Sequence, residues 1–337
     1  MAFTHNNSIL ITDSAWLYSM SERLTIKDIA RLSGVGKSTV SRVINKESGV
    51  KPETRARIEE IINQHNFAPS KSARAMRGQT DKVVAIIVSR LDSNAENQAV
   101  RAMLPLLYAQ GYDPILLESQ FEPERVREHL TVLSRRHVDG ILLFGFTGLD
   151  ESMLLPWREK IVVLAWEYEQ LTSVRYDDSG AVTLLMNALI AKKHQHIAFV
   201  GVKLSDATTG GRRYDTYHTL CQKHQITPRA ALGELTFQSG YQLAQQVISE
   251  DTSAIICASD TIALGVSKYL QERSKNDVIV CGMGNNSLLE FLYPKTFSVD
   301  LGYAEGGRMA VQQLLSLQNS PQPGKHITVP CTLRSPN

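Results

Sequence analysis

Between Thr25 and Asn45 the sequence sets Lys37, Ser38, Ser41 and Arg42 on one side of a short periodic segment and Val40, Val43 and Ile44 on the other. Cations and short hydroxyl donors bond phosphates and the edges of bases. A merely solvated face would mix Glu with Lys, and this one carries no acid. Thr25, Thr39 and Asn45 complete the candidate DNA-contacting set in the stretch.

The elements that must position these donors surround them. Ile26, Ile29, Ala30 and Leu32 fit one face of a preceding helix. Gly34, in Ser33-Gly34-Val35, can take the left-handed conformation that a sharp turn needs. Lys51 to Gln64 suits a third helix, with Pro52 in its first turn and Ile58, Ile61 and Ile62 facing inward. These elements predict an all-α helix-turn-helix headpiece whose second helix is aimed at the major groove.

Charge supports that reading. Thirteen cations face seven anions between Met20 and Lys82, an excess of six. The whole chain carries only +2, so the remainder is negative by four. A basic head on a mildly acidic body suits a phosphate backbone as partner for the head alone.

Other chemistries fit less well. Gly34-Val-Gly36-Lys37-Ser38-Thr39 looks like the end of a phosphate-binding loop, but Arg31 stands where that motif needs its first glycine, and no apolar strand precedes it. His194 and His196 form a close pair without a third ligand at metal spacing, so no metal is expected. No Gly-x-Ser-x-Gly elbow occurs, and Gly282-Met-Gly284 is too short for a dinucleotide fingerprint. An enzyme is therefore not expected, nor a cofactor. Cys221, Cys257, Cys281 and Cys331 form no Cys-x-x-Cys pair and read as reduced, which suits the cytoplasm. No apolar run reaches the roughly 18 residues of a spanning helix. Met1 to Tyr18 lacks the features of a secretory signal. Residues 1–22 read as an extension, either disordered or preceding a true start at Met20.

With 337 residues, 43% of them apolar, more than one domain is expected. From Val83 the pattern changes to strand–helix alternation. Apolar strand runs at Val83–Val88, Ile115–Leu117, Gly140–Phe144 and Ile161–Ala165 are interleaved with helical stretches at Ala99–Ala109 and Glu124–Ser134. A second set starts with a helix at Val182–Ile190 and a strand at Ile197–Val200, and runs on to Val278–Cys281. Such repeats give parallel sheets with helices on both faces, here as two α/β lobes about a cleft.

Ligands of parallel sheets sit beyond the carboxyl ends of the strands. That rule nominates Arg90, Asp92 and Glu96 after the first strand and Ser119 and Gln120 after the second. Gly145, Phe146 and Thr147 follow the third, and Trp166 and Glu167 the fourth. Arg213, Asp260 and Asn285 are the second-lobe candidates. Some have plainer explanations: Asp92 could cap the next helix, and Trp166 could be core packing. Carboxylates and amides bind sugar hydroxyls, an aromatic face packs on a ring, and an arginine offers a fork to phosphate.

From Leu24 to about Thr332 the chain resembles the lactose/galactose repressor family. The resemblance rests on Thr25–Arg42, on Ser72-Ala-Arg74-Ala-Met76-Arg-Gly78, on Asp81–Val88 and on Leu143–Gly148. It implies a headpiece over 23–66 and a hinge helix with linker over 67–81. An effector-binding and dimerisation domain of periplasmic-binding-protein type would cover 82–337, its chain crossing between lobes three times. The lobes would be 82–179 with 302–318, and 180–301 with 319–335. It further implies a homodimer on inverted-repeat operator DNA, with Ser72, Arg74 and Met76 in the minor groove. Met76 stands where the family's wedge is usually Leu, and a thioether can still intercalate. Arg213 and Asp260 match family ligand positions. Thr216 replaces a usual Gly, and Gly284 replaces the acid before Asn285. One branch of the family narrows the effector to trehalose 6-phosphate, with Arg90 on the phosphate and the DNA released on binding. A different sugar phosphate or metabolite, a corepressing ligand, or an activator remains the alternative within the family. A secreted transport protein would share the body, but would need a signal and would have no use for the basic head.

Overall fold

The computed structural model describes residues 24–44, 47–65, 67 and 82–334. The chain divides into two compact units, 1–81 and 82–337.

The first unit holds α1 (Ile26–Ser33), α2 (Lys37–Ile44) and α3 (Pro52–Gln64). Thr25 caps α1: its hydroxyl accepts from Asp28 N, and the Asp28 carboxylate accepts from Thr25 N at 2.9 Å. Gly34 ends α1 at φ 65° and ψ 27°, the left-handed turn its lack of a Cβ permits. Ile29, Ala30, Val40, Val43 and Ile58 close the core together with Phe67. Leu32 departs from the expected apolar face: it is 46% exposed, on the outside of α1. Asn45, Ser72, Arg74, Met76 and the hinge over 68–81 lie outside the described residues, as does the extension over 1–22.

The second unit has two lobes. In the first, β1 (Lys82–Val88), β2 (Tyr112–Glu118), β3 (Gly140–Phe144), β4 (Ile161–Leu164), β5 (Thr172–Tyr176) and β11 (His326–Val329) form a parallel sheet in the order β11-β5-β4-β3-β1-β2. Around it run α4 (Asn94–Ala109), α5 (Pro123–Arg135), the short α6 (Glu151–Leu154) and α12 (Tyr303–Asn319). In the second, β6 (Ile197–Val202), β7 (Arg229–Gly233), β8 (Ala254–Cys257), β9 (Ile279–Met283), β10 (Phe297–Asp300) and β12 (Thr332–Arg334) are ordered β12-β10-β9-β8-β6-β7. Only β12 is antiparallel, on β10. Its helices are α7 (Asp178–Ala191), α8 (Arg213–Lys223), α9 (Phe237–Val247), α10 (Asp260–Glu272) and α11 (Ser287–Leu292). Runs such as Ile141-Leu142-Leu143 and Ile255-Ile256-Cys257 are wholly buried, as strands covered on both faces require.

The chain passes between lobes after β5, after β10 and after β11. One expected boundary is corrected: β11 pairs with β5, His326 opposite Ser173, so the segment through Val329 belongs to the first lobe and only β12 joins the second. The turn signals after Asn319 gave no indication of which sheet would accept this late strand.

Candidate functional site

On the headpiece, Lys37, Ser38 and Arg42 are exposed on α2, and Thr39 and Ser41 are half-buried beside them. Val40 and Val43 turn the opposite side into the core, which fixes the rotation of α2 and keeps its donors outward. Thr25 is exposed at the start of α1, where its hydroxyl donates to Asp28 Oδ2 at 2.6 Å in the cap.

In the body, a cavity of about 570 Å³ lies where the carboxyl ends of the strands of both lobes converge. Of the nominated residues, Arg90, Glu96, Gly145, Phe146, Arg213 and Asp260 line it, as does Thr147. Gln120, Trp166 and Asn285 do not, and each misses by one residue. Phe121 lines the wall beside Gln120, Ala165 beside Trp166, and Gly284 and Asn286 on either side of Asn285. A left-handed residue sits at each point: Gln120 at φ 55°, Ala165 at φ 63° and Asn285 at φ 52°. Such a backbone turn redirects the next side chain, which a rule based on strand ends alone does not anticipate. Gln120 bonds Glu118 at 3.0 Å, and Asn285 bonds Asp300 at 3.0 Å. Trp166 packs behind Gly145, where an added Cβ would come within 2.6 Å of its own Cβ.

Arg90 and Arg213 differ in character. The Arg213 guanidinium is 4% exposed and donates to Asp178 Oδ1 through Nε at 2.8 Å and Nη2 at 2.6 Å; Nη1 bonds the Ala258 carbonyl. Burial opposes its charge, but Asp178 and Tyr303 more than offset this and hold it protonated. Its fork is therefore largely committed within the protein. Arg90 is freer. Nε pairs with Asp92 Oδ1 at 2.8 Å, a carboxylate 78% exposed to water, and Nη1 reaches across the cleft to the Leu235 carbonyl at 3.2 Å. Asp92 does not cap α4: Ser93 does, accepting from Glu96 N at 3.3 Å.

Two acids sit in the cavity wall. Burial lifts the Glu96 carboxyl to about 7, although Ser89 N donates to it at 2.7 Å and Arg90 N adds a longer bond. Burial also lifts Asp260 to about 6, against bonds from Asn286 N at 2.7 Å and the Ser298 hydroxyl at 2.9 Å. Both line the cavity with oxygens suited to hydroxyl groups, as acceptors when ionised and as donor and acceptor when protonated. Sequence reasoning missed Asp178, Tyr176, Tyr303, Lys203, Asp206 and Glu234, all of which line it. Asp206 holds a π-helical turn, Ala207–Arg212, by accepting from Thr208 N and Thr209 N, both at 2.9 Å. The strand-end rule would have found Lys203, which follows β6; Glu234 follows β7, a strand the sequence pattern did not reveal.

The lobes are also bonded directly. Gln98 Nε2 donates to the Gly284 carbonyl at 2.8 Å, and Ala207 N donates to the Thr147 hydroxyl at 3.0 Å. Together with Arg90 these are three cross-cleft hydrogen bonds. Among the described residues no cluster of His, Cys, Asp or Glu has metal-holding geometry, and no helix is long and apolar enough to cross a membrane. His196 instead pairs with Asp251 at 3.1 Å.

Comparison with known proteins agrees with both units. Residues 25–70 match the bacterial regulatory proteins of the lacI family, and residues 186–335 match the periplasmic binding protein-like domain family. The transcriptional regulator TreR of Salmonella typhimurium is 54% identical over 314 residues, covering 93% of this chain and all of the relative. The solved trehalose repressor from Escherichia coli is 48% identical, with a TM-score of 0.74 over 76% of this chain and all of that one. A lac repressor dimer solved with operator and an anti-inducer shares the fold at 22% identity, with a TM-score of 0.79 over 94% of this chain and 99% of that one.

Proposed function

The chain belongs to the lacI family of bacterial regulatory proteins, a helix-turn-helix transcriptional regulator, and from that premise we propose that it represses genes of trehalose uptake and use and is released by trehalose 6-phosphate. Support for trehalose comes from likeness to the solved trehalose repressor over the whole of that chain. Support for a phosphorylated form comes from one observation above the rest. Arg90 lines the cavity, and its only ionic partner among the described residues is an acid largely in water. A guanidinium so placed exchanges a weak, hydrated ion pair for a bidentate phosphate bond.

Two copies of the chain, working in the cytoplasm, present two headpieces to an inverted repeat. Lys37 and Ser38 read base edges at the start of α2, and Arg42 lies deeper or on phosphate. Ser72, Arg74 and Met76 engage the minor groove. The sugar occupies the cavity with Glu96, Asp260 and backbone groups on its hydroxyls and Phe146 against its apolar face. By bonding both lobes it favours one arrangement of the cleft. DNA favours another, and that difference is the coupling between the two ligands.

The test is a fluorescence-anisotropy titration of a palindromic operator at fixed salt, with trehalose 6-phosphate or trehalose added. Loosening by the sugar phosphate alone is expected. Tightening would make the ligand a corepressor, and no response would remove trehalose 6-phosphate as effector. Arg90→Ala should weaken the sugar phosphate far more than trehalose in calorimetry. Equal losses would take Arg90 off the phosphate.

A further inference from the structure

A third cation, Lys203, lines the same cavity as Arg90 and Arg213. It follows β6 as Glu234 follows β7, and these parallel neighbours set Val202 opposite Gly233. Lys203 N donates to the Gly233 carbonyl at 2.9 Å, which ties the two rim segments together. The Lys203 ammonium then bonds a Glu234 carboxylate oxygen. Both residues line the cavity, and their side chains are 60% and 66% exposed, so the pair stands at its mouth. Leu235, the next residue after Glu234, is the one whose carbonyl Arg90 reaches across the cleft to bond. One stretch of rim therefore gathers Arg90 with its exposed partner Asp92 and Lys203 with Glu234.

That composition has a consequence for an anion held by Arg90. Glu234 would repel it, and Lys203 is what neutralises Glu234. An exposed Lys–Glu pair is weak, because water competes with it and two long side chains lose freedom. A phosphate dianion in a closing cleft is a stronger partner for an ammonium. We propose that Lys203 is a second phosphate ligand held in reserve by Glu234. On binding, its ammonium leaves the carboxylate and turns onto the phosphate. Glu234 is the other half of the device: it turns away anions too weakly charged to draw Lys203 across. The pair thereby selects a doubly charged phosphate over a singly charged sugar acid. The inference rests on the cavity being a sugar-phosphate site.

Calorimetry on the full chain tests it, with trehalose 6-phosphate, trehalose and glucuronate as probes. Lys203→Gln should lose about tenfold or more in affinity for the sugar phosphate, the scale of one charge-assisted hydrogen bond, with trehalose unchanged. Lys203→Arg should restore most of that loss. Glu234→Gln should tighten glucuronate several-fold. Unchanged melting temperature and operator affinity without ligand identify the variants as folded. A Lys203→Gln protein within twofold of wild type for the sugar phosphate overturns the proposal. If wild type prefers the phosphate and Arg90→Ala abolishes that preference while Lys203→Gln keeps it, this inference fails alone. If wild type shows no preference for the phosphate over trehalose, the cavity reading fails and this one with it.

Discussion

The Asp178–Arg213 pair offers the sharpest perturbation. Asp178 opens α7 in the second lobe, and its Oδ1 takes two bonds from the Arg213 fork. The side chains are 4% and 6% exposed, so water neither screens the attraction nor rescues a partner left alone. Asp178→Ala leaves a buried guanidinium with only the neutral Ala258 carbonyl and Tyr303 hydroxyl as bonded partners among the described residues. Loss of one member of a buried pair costs about 3–5 kcal/mol. For a unit of this size that corresponds to about 6–20 °C in melting temperature. Replacing both, as Asp178→Leu with Arg213→Met, removes the charge as well as its partner and should recover most of the loss. Urea unfolding followed by tryptophan fluorescence measures all three proteins. A single-variant loss below about 1 kcal/mol would refute the argument, because it would mean that Arg213 finds water or another acid.

Three further outcomes are expected. Burial holds a proton on Glu96 up to about pH 7, whereas the ordinary value of 4.5 applies in the unfolded chain. Its contribution to stability is thus full below about 4.5 and is lost as pH rises through about 7. Wild type should lose stability relative to Glu96→Gln across that window, and parallel curves would count against the assignment. Asp260, also lifted by burial, to about 6, adds the same sign to both proteins and cancels. Removing two cross-cleft bonds with Gln98→Ala and Thr147→Val should weaken the sugar phosphate by about tenfold, at about 0.5–1.5 kcal/mol each. Small-angle scattering should show a more open body, and an unchanged radius with unchanged affinity would speak against the bonds holding the lobes. Lys37→Ala should lower the slope of log affinity against log salt by about one if Lys37 neutralises a phosphate. An unaltered slope, with weaker binding to the specific site only, would put Lys37 on a base edge.

Much of this molecule was legible because burial writes itself into local pattern. Val83–Val88 of β1 and Ile141–Phe144 of β3 are apolar without interruption, since both faces of their sheet are covered. Gly34 and the Val40/Val43 spacing marked the headpiece turn and the inward side of α2. Other elements were hidden by mixed composition. β7, Arg229–Gly233, begins with a cation and ends in glycine, and β12, Thr332–Arg334, has only Leu333 as an apolar residue. Missing β7 also hid Glu234, whose place in the cavity depends on that strand's end. Asp178 was hidden differently. It lies at the start of α7, where an acid reads as ordinary helix-terminus chemistry, and only the fold brings Arg213 against it. Trp166, Gln120 and Asn285 mark the reverse limit: the neighbourhood was right, and a single left-handed turn decided which side chain faced in.

The three passages between lobes also govern how the protein can be made. Ser173 and His326 are 153 residues apart, yet their strands are neighbours, and the Ser173 hydroxyl bonds the His326 ring at 2.9 Å. β10 likewise waits for β12. During vectorial synthesis neither lobe can finish before its counterpart is almost complete, because each takes its last strand from the final stretch of chain. A ribosome pausing short of His326 carries two sheets with bare edges at β5 and β10, the form of backbone most prone to wrong pairing. The headpiece has no such dependence: its described core spans only 24–67 and draws on contacts local in sequence. The DNA-reading unit can therefore form early on the nascent chain, while the sensing unit matures as a single late event.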